Sequence, residues 1–157
     1  MNLNENINRI LTLINESDGY SFETSGDFND ILGLKLKLNN KEDNIGHIKG
    51  YRINRGLNLD PALIGIESPD MIKPNDLNNE TAIFLVDLII KDNFRNNGYG
   101  KKLLKKMLDN VKNNGYKYIV GVVDDNNSIA QNMYEKMNWK VGLYDKPNKA
   151  KIYFCEL

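Results

Sequence analysis

Residues 82–113 read AIFLVDLIIKDNFRNNGYGKKLLKKMLDNVKN, and the fold turns on how that stretch divides. Ala82 to Ile90 is a nearly unbroken apolar run, rich in β-branched and aliphatic side chains. That is the pattern of a strand buried on both faces. Further on, Leu103, Leu104, Met107, Leu108 and Val111 recur on one side of a helix. Between the two lies Arg95-Asn96-Asn97-Gly98-Tyr99-Gly100. A strand, a glycine turn and a helix start gather several backbone N–H groups in one place, and the helix dipole adds positive potential there. Gly98 and Gly100 let the backbone approach a ligand without an intervening Cβ. The turn therefore suits an anion such as a pyrophosphate. It is not a dinucleotide fingerprint, because no third glycine follows at the needed spacing. Nor is it a Walker loop, because Lys102 rather than Ser or Thr follows Lys101.

Outward from this stretch the pattern continues as a single α/β domain spanning residues 1–157. Gly115 stops the helix, and Tyr116 to Val123 (YKYIVGVV) predicts a second strong strand. Strand, helix and strand with one crossover make a right-handed parallel βαβ unit. Asn126 to Ser128 offer helix N-caps, and the next helix is predicted to run to about Asn138. Trp139–Tyr144 and Ala150–Leu157 predict a closing hairpin. Upstream, Leu3, Ile7, Ile10, Leu11 and Ile14 predict an amphipathic helix over 2–15. Residues 20–29 read as a short turn or helix. Residues 31–38 (ILGLKLKL) and 45–53 (IGHIKGYRI) predict an antiparallel hairpin turning at Asn39–Asn44. Residues 54–80, broken by Pro61, Pro69 and Pro74, read as packed loop with short helical turns. The expected whole is a mixed, mostly antiparallel sheet with helices on both faces.

Composition narrows the function. Lys plus Arg and Asp plus Glu are both 21, so no global basic field points to nucleic acid. One cysteine, Cys155, excludes a disulfide framework and a thiolate metal cluster. No apolar stretch approaches transmembrane length and no signal-peptide core opens the chain, so a cytoplasmic protein without a membrane partner is expected. Lys101 and Lys102 stand near the helix start, where a positive charge opposes the dipole unless an anion is bound. Both therefore suggest a phosphate neighbour, whereas Lys105 and Lys106 fit a phosphate or a solvated face equally.

Arg95-x-x-Gly98-x-Gly100 between a strand and a basic helix resembles the acetyl-CoA pyrophosphate loop of the GNAT N-acetyltransferases. A second segment strengthens the resemblance: Asn127-x-x-Ala130-x-x-Met133-Tyr134-Glu135-Lys136-Met137-Asn138-Trp139 is similar to the family's later signature. The likeness covers residues 80–157 by motif and the N-terminal half by pattern. It departs at Asn96 and Asn138, where family members commonly carry glycine; Asn also tolerates a left-handed backbone.

The resemblance implies acetyl transfer from acetyl-CoA to a primary amine of a small molecule or peptide, with no metal. Arg95, Asn96, Asn97, Gly98, Tyr99, Gly100 and Lys101 would then grip the pyrophosphate. The backbone of Leu88, Ile89 and Ile90 would meet the pantetheine and the thioester carbonyl, an oxyanion-type role. Asn127, Ala130 and Tyr134 fall at i, i+3 and i+7, on one helix face that can address one ligand. Tyr134 is the candidate general acid, and a phenol near pKa ~10 giving its proton to a thiolate near ~8.5 is uphill by about 2 kcal/mol.

Asp87, inside the apolar run, is the candidate base, and it reads either as a structural hydrogen-bonder or as a carboxylate with a raised pKa. Against an amine near ~10.4 an ordinary Asp is mismatched by about 9 kcal/mol, so a water relay or a neutral substrate stays open. His47 reads as a surface or packing residue. Cys155, among apolar neighbours, reads as an inert thiol, which favours direct transfer in a ternary complex. In this family a segment placed like 54–80 commonly lines the acceptor site. Two alternatives stay open: a CoA-binding sensor or partner-binding module without catalysis, and a scaffold that pairs two copies along its sheet edge.

Overall fold

The computed structural model describes residues 19–29, 33–40, 43–53, 77, 80–145 and 148–157. Their strands are Tyr20–Ser25 (β1), Leu34–Asn40 (β2), Asn44–Arg52 (β3), Ala82–Ile90 (β4), Tyr118–Asp124 (β5), Lys140–Asp145 (β6) and Ala150–Glu156 (β7). Two α-helices, Tyr99–Asn113 (α1) and Ser128–Lys136 (α2), flank β5 in the chain. The strands form one seven-stranded sheet in the order β1-β2-β3-β4-β5-β7-β6. Every neighbouring pair is antiparallel except β4–β5, which is parallel and joined through α1. The expected mixed, mostly antiparallel sheet around a central βαβ unit is what forms.

Side-chain alternation splits the sheet between two apolar clusters. Leu36, Leu38, Ile48, Ile83, Leu85, Ile119 and Tyr153 meet Leu103, Leu104, Met107 and Val111 of α1 and Tyr134 of α2. Ala82, Val120, Ile152 and Phe154 join Ile53 and Leu77 in the second cluster. Both described helices thus cover one face, because their apolar stripes fit the same set of alternate strand residues. The helix expected over 2–15 lies outside the described residues, as does almost all of 54–80. Residues 20–25, expected as a turn or short helix, form β1 instead. That strand pairs with β2 along its whole length, Tyr20 opposite Asn40 through Ser25 opposite Lys35.

Helix ends follow their sequence signals. Gly115, at φ 84°, is the left-handed residue closing α1. The N–H of Tyr116 returns to the Val111 carbonyl and that of Gly115 to Lys112, a Schellman pair. α2 closes the same way with Asn138 at φ 60°; Trp139 N–H bonds the Tyr134 carbonyl and Asn138 N–H that of Glu135. An asparagine therefore takes the place of a glycine there, as its tolerance of left-handed backbone allows.

One irregularity in β4 shapes everything that follows. Lys49 faces Asp87, but the next residue, Gly50, faces Leu85, so Val86 is the extra residue of a β-bulge. Before the bulge Ile83 and Leu85 pack under the helices; after it Leu88 and Ile90 do. The expectation of a strand buried on both faces fails here, since Val86 is 37% and Ile89 47% exposed. The cause lies in the neighbouring strand. β4 pairs with β5 only from Ala82 to Leu85, and past Leu85 opposite Gly121 the two part.

Candidate functional site

The parting of β4 from β5 opens a cavity of about 620 Å³, within the usual span of about 300–1,000 Å³ for small-ligand sites. It is lined by Leu88, Ile89 and Ile90 of β4, by Phe94, Arg95, Asn96, Gly98, Tyr99 and Gly100, and by Asn127, Ile129 and Ala130 at the start of α2. Sequence reading reached all of these except Phe94 and Ile129. Both are apolar neighbours of motif residues, and their positions beside Arg95 and between Asn127 and Ala130 were the available signal.

The loop wall is built by backbone geometry. Arg95 turns back, its Nε donating to the Ile90 carbonyl at 3.1 Å and its Nη2 lying 2.9 Å from Asp92 Oδ1. Asn97 Nδ2 donates to the Arg95 carbonyl at 3.0 Å. Asn97 thus braces the loop and does not line the cavity. Asn96 (φ 62°) and Gly98 (φ 79°) both take the left-handed conformation, so this loop too accepts an asparagine at positive φ. α1 begins at Tyr99 with no side-chain cap and no acidic residue in its first turn. Its first N–H groups are therefore left for an acceptor from outside the helix.

The two leading lysines behave differently from one another. Lys101 stays exposed beside the loop, outside the cavity lining. Lys102, expected near a phosphate, instead donates to the Tyr20 hydroxyl at 2.6 Å and lies 4.5 Å over that ring. Lys106 sits over Phe22. The pairing of β1 with the sheet brings these aromatics under the helix, and that contact draws both cations away from the loop.

Across the cavity, Asn127 caps α2 by accepting the Ala130 N–H at 3.1 Å. Tyr134 lies one layer deeper than expected. It is 5% exposed, stacked on Trp139 at 4.4 Å between ring centres, and does not line the cavity. The Schellman turn explains the stack, because it brings the residue after Asn138 back against the last turn of α2. The Tyr134 hydroxyl reaches Gly121, the residue where β5 loses β4: a Cβ placed on Gly121 would lie 3.1 Å from that oxygen. Burial pushes the Tyr134 phenol well above its ordinary value, so it stays protonated at any ordinary pH. It is a permanent donor and a weak acid.

Gly121→Ala tests the placement of that hydroxyl. The new methyl would press on the Tyr134 oxygen, while the cavity lining keeps its residues. On the acetyl transfer that the sequence resemblance implies, turnover is expected to fall about tenfold or more while acetyl-CoA affinity stays the same. An unchanged turnover would show that the hydroxyl takes no part.

Asp87 stands elsewhere. The bulge at Val86 turns it away from the helices, and it lines a second cavity of about 350 Å³ with Ser25, Gly26, Gly33, Lys35, His47 and Lys49. It is half-buried in a polar setting, not sealed in an apolar strand. His47, expected as a surface or packing residue, shares that setting. Burial first, and then Lys35, hold the His47 imidazole below its ordinary value, partly opposed by Asp87. Cys155 is half-buried in β7, and burial raises its thiol, which leaves it a poor nucleophile. Among the described residues, no helix is long and apolar enough to cross a membrane. No group of three or more His, Cys, Asp or Glu among them could hold a metal ion.

Comparison with known proteins agrees with this architecture. No curated protein matches the chain. The chain is similar in fold to an acetyltransferase from Thermus thermophilus, at TM-score 0.55 and 15% identity, covering 78% of this chain and 63% of that one. It is also similar to a GNAT family acetyltransferase from Elizabethkingia anophelis with acetyl-CoA bound, at TM-score 0.61 and 13% identity, covering 89% and 99%. A Bacillus subtilis acetyltransferase in complex with CoA gives TM-score 0.59 and 12% identity, covering 88% and 99%. The chain thus spans less than two thirds of the Thermus protein and nearly all of the other two. The model of the acetyltransferase (GNAT) family matches residues 31–139, well over half of the sequence, and so the chain belongs to the GNAT acetyltransferase family.

Proposed function

We propose that the protein is an N-acetyltransferase that moves the acetyl group of acetyl-CoA to a primary amine in a ternary complex, with residues 1–157 acting as one domain. One observation supports this most: the uncapped start of α1 and the unpaired edge of β4 open into the same cavity, with the Tyr134 hydroxyl at the point where β4 leaves β5. Those are the places where an acyl thioester bearing a pyrophosphate needs donors. The N–H groups at the α1 start hold the pyrophosphate, helped by the charge of Lys101. Leu88 to Ile90 offer backbone to the pantetheine and to the carbonyl oxygen as it gains charge.

The amine nitrogen forms its bond to the carbonyl carbon, the carbon–sulfur bond breaks, and the sulfur leaves with the electron pair. Tyr134 donates a hydrogen bond to that sulfur. Its raised pKa makes full proton transfer costlier than the ~2 kcal/mol of an ordinary phenol, so stabilisation of the thiolate is its main contribution. Asp87, on the other face of the same strand, receives the proton that the amine loses, directly or through water.

Calorimetric titration with acetyl-CoA and with CoA, followed by thiol release against a panel of amines, tests the reading. Micromolar binding with thiol release is the expected result. Binding without release for any amine would favour a CoA-sensing module. Absence of binding at millimolar cofactor would eliminate both.

A further inference from the structure

The second cavity holds more positive charge than its one carboxylate needs. Lys35 and Lys49 are direct cross-strand neighbours on β2 and β3. Like charges in that relation repel. Asp87 is the register partner of Lys49 on β4. Even so, neither lysine forms an ion pair with a carboxylate within 4.0 Å among the described residues, where Lys37 has Glu23 at 3.2 Å. His47 completes the row and is kept largely neutral by burial and by these lysines. The lining therefore carries two cations, one anion and a neutral imidazole, an arrangement that lacks one negative charge.

Its position gives that charge a use. Asp87 and Leu88 are consecutive on β4 and serve opposite faces of the strand. The second cavity therefore begins one peptide away from the wall proposed to hold the thioester. At about 350 Å³ it is the smaller of the two. That volume fits a small molecule near the lower end of ordinary ligand sites, not a folded protein.

We propose that this cavity takes the acceptor, and that the acceptor is a small amino-carboxylate such as a free amino acid, its carboxylate between Lys35 and Lys49 and its amine at Asp87. This rests on the acetyl-transfer reading above and adds the substrate class to it. An amine bound beside two lysines also loses its proton more readily, because neighbouring positive charge disfavours the ammonium form. The pair thus addresses both ends of the acceptor.

The test is calorimetric. The common amino acids and their carboxamides are titrated into the intact protein, with and without saturating CoA, and then into a Lys35→Gln, Lys49→Gln variant checked for an unchanged thermal melt. At least one amino acid is expected to bind, and its carboxamide to bind roughly tenfold more weakly or worse, as loss of a charge-assisted contact requires. The double variant should lose that preference while keeping acetyl-CoA affinity. Equal binding of acid and amide, no binding of any amino acid, or a preference that survives the double substitution would each overturn the proposal. A failed transferase reading would register separately, as absent acetyl-CoA binding or absent thiol release.

Discussion

Gly98→Val is expected to weaken acetyl-CoA binding by roughly 10- to 100-fold, the loss of one or two charge-assisted hydrogen bonds. Gly98 is at φ 79°, and no heavy atom lies within 4 Å of where its Cβ would be. The free protein therefore has room for a side chain but not the torsion for one. A β-branched residue in the left-handed region costs about 1–3 kcal/mol. The chain can relieve that strain by rotating the peptide, which re-aims the first N–H groups of α1. If the torsion is kept, the isopropyl group stands in the cavity that Gly98 lines. Binding suffers either way. Gly98→Asn separates the two causes, because asparagine accepts positive φ, as Asn96 and Asn138 already do here. Calorimetric Kd values for wild type, Asn and Val variants, read with their melting temperatures, give the answer. A Val variant that binds acetyl-CoA as well as wild type would place the phosphates elsewhere.

Tyr134→Phe has the second large effect, and on a different quantity. The substitution removes one oxygen from a ring packed on Trp139 and Tyr153. That oxygen makes no hydrogen bond among the described residues, so the melting temperature should barely move. Acetyl-CoA affinity should hold, because a thioester sulfur accepts a hydrogen bond weakly and the Tyr134 contact gains strength only as the thiolate leaves. The expected loss is in kcat, about 100-fold, toward the low end of what a positioned acid contributes. The low end follows from the raised phenol pKa, which weakens the group as an acid while keeping it a hydrogen-bond donor. A stopped-flow or steady-state thiol assay reads kcat directly. Wild-type turnover in the Phe variant would move the leaving-group role to another donor, and a collapse of stability would mark Tyr134 as a packing residue.

The central unit was legible because its signals agree with one another. The run from Ala82, the stripe from Leu103 to Val111 and the stop at Gly115 each state the same boundaries, and β4 and α1 keep them. β1 was not legible. YSFETS has weak alternation, and its three residues from Glu23 are exposed, so partnership with β2 rather than its own composition makes it a strand. The bulge at Val86 was hidden because an all-apolar run carries no parity mark. Asp87 was read as a charge stranded in apolar surroundings for that reason. The lysine row was within reach: alternation in ILGLKLKL already sets Lys35 and Lys37 on one face, and the hairpin turn brings His47 and Lys49 beside them. Depth was beyond reach, since the spacing of Asn127, Ala130 and Tyr134 shows a shared helix face but not that Tyr134 packs beneath the other two.

The bulge also makes the length of β4 a matter of sidedness. One residue gained or lost within a regular strand flips every residue beyond it to the other face, unless a bulge absorbs it. Deletion of Val86 would remove the bulge and leave the faces of Asp87 to Ile90 as they are, because Leu85 and Asp87 already stand opposite the consecutive residues Gly50 and Lys49. Pairing Val86 in strict alternation would instead exchange inside for outside for every residue from Asp87 to Ile90. Asp87 would then turn under the helices, and Leu88 and Ile90 would turn out among the lysines. As the sequence stands, Asp87 faces outward and Leu88 inward only because the bulge leaves Val86 out of the pairing. The accommodation of Val86 therefore decides which of positions 87–90 meets which compartment.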